Sequence, residues 1–254
     1  MLNSKPLKDI LFIDIETVPQ YESFFDMPER KQLLFKEKFN REVAVIESMV
    51  EDLQEGALYD LYIKQASFLP ELGKIVCISV GKFLNPKDED ETLSLKTASF
   101  TGENDKDILV KFISSIVGIK DCTDVNKATI HLCAHYGKVF DFPFIAKRLL
   151  LNRLPLPAMF DYGHLKPWEL TYMVDTIDAW RFGRMDCNAS LDMIADSFGI
   201  ESPKLDMSGK DVKDVFYKEK DLPKIAKYCE SDIMALAQIY IRMKGDFREV
   251  IKSK

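Results

Sequence analysis

Ile10-Leu11-Phe12-Ile13-Asp14-Ile15-Glu16, near the start of the chain, is the stretch from which the fold is worked out. Four consecutive β-type apolar residues make a buried strand, and the run ends at two carboxylates that flank Ile15. Residues two apart on an extended chain point to the same face, so Asp14 and Glu16 project together. Like charges held this close repel, and they need exposure, shifted protonation or a divalent cation between them. A lone D-x-E at a strand end is most often a solvated terminus, so the pair gains meaning only from the rest of the chain.

Outward from this strand, residues 20–65 change character. Charged and apolar residues mix at helical spacing (Leu33, Leu34, Phe39, Val43, Val45, Ile46, Val50, Leu53), with no glycine until Gly56, which predicts a helical insertion. Strands return at 74–83 and 91–99, joined by the acidic turn Asn85-Pro86-Lys87-Asp88-Glu89-Asp90, a hairpin signature. An amphipathic helix follows over 104–117, with Ile108, Phe112 and Ile116 on one face. A buried strand is expected at 128–134, a helix at 143–151 with Pro143 in its first turn, and a short strand at 172–177. After Ala189 the pattern is helical throughout, over 189–198, 210–217 and 222 to about 244. There is no internal repeat and no Gly/Ser linker, so a single domain over 1–254 is expected, with 20–65 as its insertion. Strands separated by helices, with one early hairpin, predict an α/β fold: a mixed β-sheet covered by helices.

Composition narrows the class. The chain has 254 residues, 46% hydrophobic and 30% charged, ordinary values for a soluble globular protein. The longest apolar runs, such as 75–80, are too short to cross a bilayer, and no membrane partner is expected. The opening residues carry lysines but no apolar h-region, so the sequence reads as cytoplasmic rather than secreted. A net charge of −6 argues against broad coating of nucleic acid, yet leaves room for a local site on a nucleic-acid end. Five scattered cysteines without a C-x-x-C read as reduced core thiols. His131 and His135 lie in a strand-like run without a zinc pattern and read as structural.

Two further acidic positions stand out. Asp141, in Gly137-Lys138-Val139-Phe140-Asp141-Phe142-Pro143-Phe144, follows a buried strand and precedes a helix, where a helix N-cap is the ordinary reading. Tyr228 and Asp232, in Tyr228-Cys229-Glu230-Ser231-Asp232, are four apart on the final helix and share a face beside Ile225, Ile233 and Leu236. A part-buried Asp on that face is costly unless it is paired or bound to metal.

In chain order, D-x-E after a first strand, F-D before a helix and Y-x-x-x-D in a C-terminal helix resemble the DEDD superfamily of 3′–5′ exonucleases. The Y-x-x-x-D form marks its DEDDy branch. The pattern is similar in particular to the proofreading exonuclease domain of family B DNA polymerases and to its stand-alone, polymerase-free relatives. The similarity runs from Phe12 to Tyr240 and includes Ser190-Leu191 to Gly199-Ile200 and Lys204-Leu205-Asp206-Met207-Ser208-Gly209-Lys210-Asp211-Val212. The second motif of that family usually reads N-G-x-x-F-D. Here Tyr136 stands in place of the Asn, which leaves the grip on the terminal nucleotide open.

The resemblance implies an RNase H-like mixed sheet, with one antiparallel strand, flanked by helices. It also implies hydrolysis of phosphodiesters at a free 3′ end of single-stranded nucleic acid, DNA favoured and RNA possible, releasing nucleoside 5′-monophosphates. Two Mg²⁺ or Mn²⁺ about 3.5–4 Å apart would serve as cofactors. On that pattern Asp14 bridges the two ions, Glu16 and Asp232 complete the site of the ion that activates water, and Asp141 supports the second. Tyr228 orients the attacking water, its ordinary pKa near 10 making it a poor base by itself. Thr17, Tyr136 and Phe140 are the implied neighbours of the terminal nucleotide. Between Tyr136 and Arg184, seven Lys or Arg stand against five Asp or Glu, too small a surplus to tell a backbone-binding surface from scattered charge. An exoribonuclease of the same superfamily and a non-catalytic nucleic-acid-binding homologue are the competing readings; loss of a metal carboxylate would favour the second, and none is lost.

Overall fold

The computed structural model describes residues 5–87, 89, 91–117, 130–201 and 207–253. Asp88 and Asp90 of the acidic turn, Cys122, residues 128–129 of the expected fourth strand, and Lys204, Leu205 and Asp206 lie outside the described residues. Packing divides the chain into two compact units, Thr17–Lys74 and the remainder, Met1–Glu16 with Ile75–Lys254.

The larger unit is built on a sheet whose six strands, among the described residues, run in the order β5-β4-β1-β2-β3-β6. These are β1 (Ile10–Pro19), β2 (Gly73–Phe83), β3 (Thr92–Thr101), β4 (His131–Ala134), β5 (Met173–Asp175) and β6 (Glu249–Lys252). β2 and β3 form the expected antiparallel hairpin, while β1 with β4, β4 with β5 and β3 with β6 pair in parallel. The sheet is therefore mixed and flanked by helices, the α/β class expected from the sequence.

Alternation along β1 feeds two cores. Leu11, Ile13 and Ile15 pack with Ile108 and Phe112 of α4 (Asp105–Val117) and Phe142 and Ile145 of α5 (Asp141–Leu151). Ile10 and Phe12 face the other way, onto Ile233, Leu236, Ala237 and Tyr240 of the long C-terminal helix, Leu222–Met243. β2 permits the same helix a close approach: a Cβ at Gly81 would lie 2.5 Å from Ile233 Cγ2.

Two expectations are corrected. The chain after 189 is not wholly helical, because β6 closes the far edge of the sheet; only Val250 of this four-residue strand is buried, so it carries almost no periodic signal. Residues 172–177 hold only a three-residue strand, and Asp175 then caps helix α6 (Thr176–Arg181) by accepting from the Ile177 amide.

The unit 17–74 contains α1 (Glu29–Lys38), α2 (Asn40–Glu47) and α3 (Glu51–Ala66). Its core is aromatic, with Tyr62 edge-on to Phe24 at 6.2 Å and to Phe35 at 5.7 Å. The Tyr62 hydroxyl donates to Tyr21 O at 3.1 Å and accepts from the Tyr21 amide at 3.3 Å, so its polar end is satisfied.

Candidate active site: a buried carboxylate cluster

Because side chains alternate, Asp14 and Glu16 continue the face of Ile10 and Phe12 and meet the C-terminal helix. That helix runs antiparallel to β1. Tyr240 lies edge-on to Phe12 at 5.5 Å, and Cys229, three turns earlier, donates its thiol to Asp14 Oδ2 at 3.2 Å. Helical spacing then brings Tyr228 and Asp232 to the same place, where the Tyr228 hydroxyl hydrogen-bonds the Asp232 carboxylate.

The fourth carboxylate comes from α5. Asp141 does not act as the N-cap expected from sequence: Phe140 holds that position and makes no side-chain cap bond. Asp141 is instead the first helical residue, and its Oδ1 accepts from the Ile15 amide of β1 at 3.2 Å. Gly137 makes the preceding turn possible, since a Cβ there would come within 2.3 Å of Ala134 Cβ and 3.1 Å of the Phe142 ring.

Glu16, Asp141, Asp232 and Tyr228 are buried, and Asp14 is half-buried. Burial and then the charge of Asp232 raise Asp14 well above the usual carboxylate range, with Glu16 and Asp141 adding to the effect and the Cys229 thiol opposing it. Glu16 is raised for the same leading reasons. Asp141 is pushed up to about 7, mainly by burial, with Asp175 and Asp232 contributing against its own amide and that of Ile15. Tyr228 is raised by burial and by Asp232, Glu16 and Asp14. Among the described residues no lysine or arginine forms an ion pair with Asp14, Glu16 or Asp141.

Such a cluster is unstable as an all-anionic set, and a divalent cation is the natural compensation. Donor atoms of Asp14, Glu16 and Cys229 lie within 4.8 Å of one another, close enough to surround one ion. The oxygens fit a hard cation; burial raises the Cys229 thiol, keeping it protonated as a hydrogen-bond donor to Asp14.

The structure thus brings together Asp14, Glu16, Asp141, Tyr228 and Asp232. Tyr136 and Phe140 stand in the turn that leads to Asp141, and the Phe140 ring packs on Phe144 at 5.4 Å. Tyr136 occupies a left-handed backbone position, φ 62°, of the kind Asn tolerates better than Tyr. Its ring sits 5.4 Å from the Arg181 guanidinium. Thr17 belongs to the other unit, where its hydroxyl donates to Ser67 O at 2.8 Å.

Two residues escaped the sequence reading. Asp175 ends β5, parallel through β4 to β1, and its carboxylate gathers the amides of Tyr136 (2.9 Å), Lys138 (3.0 Å) and Ile177 (3.2 Å). A carboxylate closing the apolar run Met173-Val174 was the available signal. Cys229 was legible only as a core thiol; its contact with Asp14 joins positions 215 apart and has no local signature.

Comparisons with known proteins bear on the fold and the family. The chain superposes on a family B DNA polymerase from the hyperthermophilic archaeon Pyrobaculum calidifontis with a TM-score of 0.54 and 13% identity, over 92% of this chain and 24% of the polymerase. At that identity the likeness concerns the fold, and this chain spans about a quarter of the polymerase's length. No curated protein matches the sequence. Residues 66–252 match the model of a family described as predicted 3′–5′ exonucleases related to the exonuclease domain of PolB. The chain belongs to that family of PolB-related exonucleases.

Proposed function

We propose that the protein is a divalent-metal-dependent 3′–5′ exonuclease. It removes nucleoside 5′-monophosphates from a free 3′ end of single-stranded nucleic acid, DNA in preference to RNA. One observation carries the reading: four carboxylates and a tyrosine, drawn from β1, α5 and the C-terminal helix, interact in a single buried cluster.

Asp14, Glu16, Asp141 and Asp232 would hold two Mg²⁺ or Mn²⁺. Those ions would supply what phosphodiester hydrolysis needs at neutral pH, an acidified water and a stabilised 3′ oxyanion. The chain's own groups do the positioning. Tyr228, held protonated by its surroundings, donates a hydrogen bond and cannot serve as the base. The Ile15 amide fixes one oxygen of Asp141, and the Cys229 thiol fixes one of Asp14, so both carboxylates are oriented before any ligand arrives. Asp175 shapes the turn carrying Tyr136 and Phe140, the proposed neighbours of the terminal nucleotide.

The test is hydrolysis of labelled single-stranded DNA and RNA of matched sequence in Mg²⁺, Mn²⁺ or EDTA. Metal-dependent shortening of DNA from its 3′ end, faster than of RNA, is expected. Faster RNA trimming would make the protein an exoribonuclease; binding without cleavage in either metal would make it a non-catalytic homologue.

A further inference from the structure

Beside β5, which is an edge strand of the sheet, lies a groove of about 940 Å³ that the carboxylate cluster does not use. Its volume is at the upper end of the roughly 300–1,000 Å³ typical of ligand pockets. The lining joins Trp168 and Trp180, the only two tryptophans of the sequence, to Phe182 and to the cationic heads of Lys5, Lys138 and Arg242.

Two of the three rings are displayed rather than buried: Trp168 is 72% exposed and Phe182 is 91% exposed. Phe182 also holds φ 46°, a left-handed conformation unfavourable to a bulky side chain. That position is the C-cap of α6, where a left-handed residue is ordinary; what it presents is a ring that stands in solvent and contributes nothing to the core. The cations are incompletely neutralised. Lys5 Nζ donates to Thr171 O at 2.6 Å and to His131 Nδ1 at 2.8 Å, neither an anion. Burial and the like charge of Lys138 lower the pKa of Lys5, and an anion entering the groove would offset the like charge. Of the acidic lining residues, Asp175 is occupied by three amides and Asp178 pairs with Lys138 at 3.1 Å and Arg181 at 3.7 Å. Asp175 links the groove to the cluster, because its charge helps raise Asp141.

We propose that this groove binds the single-stranded polynucleotide whose 3′ end enters the carboxylate cluster, with bases stacking on Trp168 and Phe182 and phosphates meeting Lys5 and Lys138. Aromatic faces interleaved with cations are how sequence-tolerant single-strand sites work, since every base has a π-face and every nucleotide a charge. The direction given to the strand rests on the exonuclease reading above; the groove and its ligand class do not.

Because both tryptophans line the groove, tryptophan fluorescence, excited selectively over the nine tyrosines, reports on it. Full-length Asp14→Asn protein in Ca²⁺ is titrated with an oligothymidylate of about 12 nucleotides and, separately, with thymidine monophosphate. Quenching that saturates about tenfold or more tighter with the oligonucleotide, and weakens steeply with salt, is expected. Phe182→Gly should weaken oligonucleotide binding about fivefold or more. It should keep or raise the melting temperature, because Gly accepts the left-handed position; a merely structural Phe182 would not give this combination. In otherwise native enzyme, Lys138→Gln with Phe182→Gly should raise KM for the oligonucleotide several-fold more than KM for a dinucleotide. No quenching, equal affinity for monomer and oligonucleotide, or KM values that move together would overturn the groove. Quenching as expected in a native protein that hydrolyses neither substrate would support the groove and defeat the exonuclease reading.

Discussion

Tyr228 sits where burial and the charges of Asp232, Glu16 and Asp14 all push its hydroxyl towards the protonated form, so near neutral pH it keeps its proton. In the proposed reaction it orients the attacking water, and Tyr228→Phe is expected to slow single-turnover hydrolysis by about 10²–10⁴-fold. Binding of a 3′ end in Ca²⁺ and the melting temperature should hold, since no carboxylate is lost. Full activity in Tyr228→Phe would remove the residue from the mechanism. A second prediction concerns Tyr136. At φ 62° a non-glycine L-residue costs roughly 1–2 kcal/mol, and Asn pays less of it than Tyr. Tyr136→Asn restores the residue usual in the resembled motif; its relief is offset by the lost ring contacts to Arg181 and His135. The expected outcome is a melting temperature within a few degrees of native, with an altered KM for the 3′-terminal nucleotide. At this scale the acidic residues were legible because carboxylates closing apolar runs are chemically conspicuous. The left-handed turn at Tyr136, the β1 contact of Asp141 and the thiol bond of Cys229 depend on distant backbone and left no local trace.

The elements that hold the cluster are β1, α5 and the C-terminal helix, and the last of these packs closely on β2 at Gly81. Gly81→Ala would place a methyl group 2.5 Å from Ile233 Cγ2, an atom on a branched Cβ that cannot swing aside. A destabilisation of about 1–3 kcal/mol is expected in urea melts, as for an overpacked core. Activity should fall further than stability does, because Ile233 adjoins Asp232. A Gly81→Ala protein with native stability would mean that the helix has room to retreat. The same elements explain what periodicity could reveal. Period two along β1 and period 3.6 along the last helix are strong signals, and both elements lie where the pattern puts them. β6 and the three-residue β5 are too short for a pattern, and the segment Val215–Glu219 takes a π-helical form that helical spacing cannot distinguish from an α-helix. Helices within 20–65 were legible from composition, but that residues 17–74 pack as a unit of their own is a property of their aromatic core and not of any one run.

For the molecule as a whole, the cluster sets how stability depends on pH and on metal. A carboxyl whose folded pKa lies above its unfolded one contributes stability that is present below the unfolded value and is lost as pH rises through the folded value. Asp141, near 4 when unfolded and about 7 when folded, therefore makes the metal-free protein lose stability as pH climbs from about 4 to about 7. Asp141→Asn keeps the acceptor for the Ile15 amide but not the titration, and should make the curve shallower over that window, Asp14 and Glu16 supplying what slope is left. Mg²⁺ or Mn²⁺ should raise the native melting temperature more at pH 7.5 than at pH 5, by mass action on the folded state. An equal metal effect at both pH values would contradict a cation held by these carboxylates. Among the described residues no helix is long and apolar enough to cross a membrane. The central claim, that one carboxylate cluster holds the metal and does the chemistry, is tested most directly by single-turnover hydrolysis of 3′-labelled single-stranded DNA against Mn²⁺ concentration, for native protein and for Asp14→Asn. The account predicts a saturable, Mn²⁺-dependent rate in the native protein and none in Asp14→Asn, although the variant melts higher than native without metal because one of the mutually repelling carboxylates is gone. Hydrolysis by Asp14→Asn at the native rate, or native hydrolysis that persists in EDTA, would contradict it.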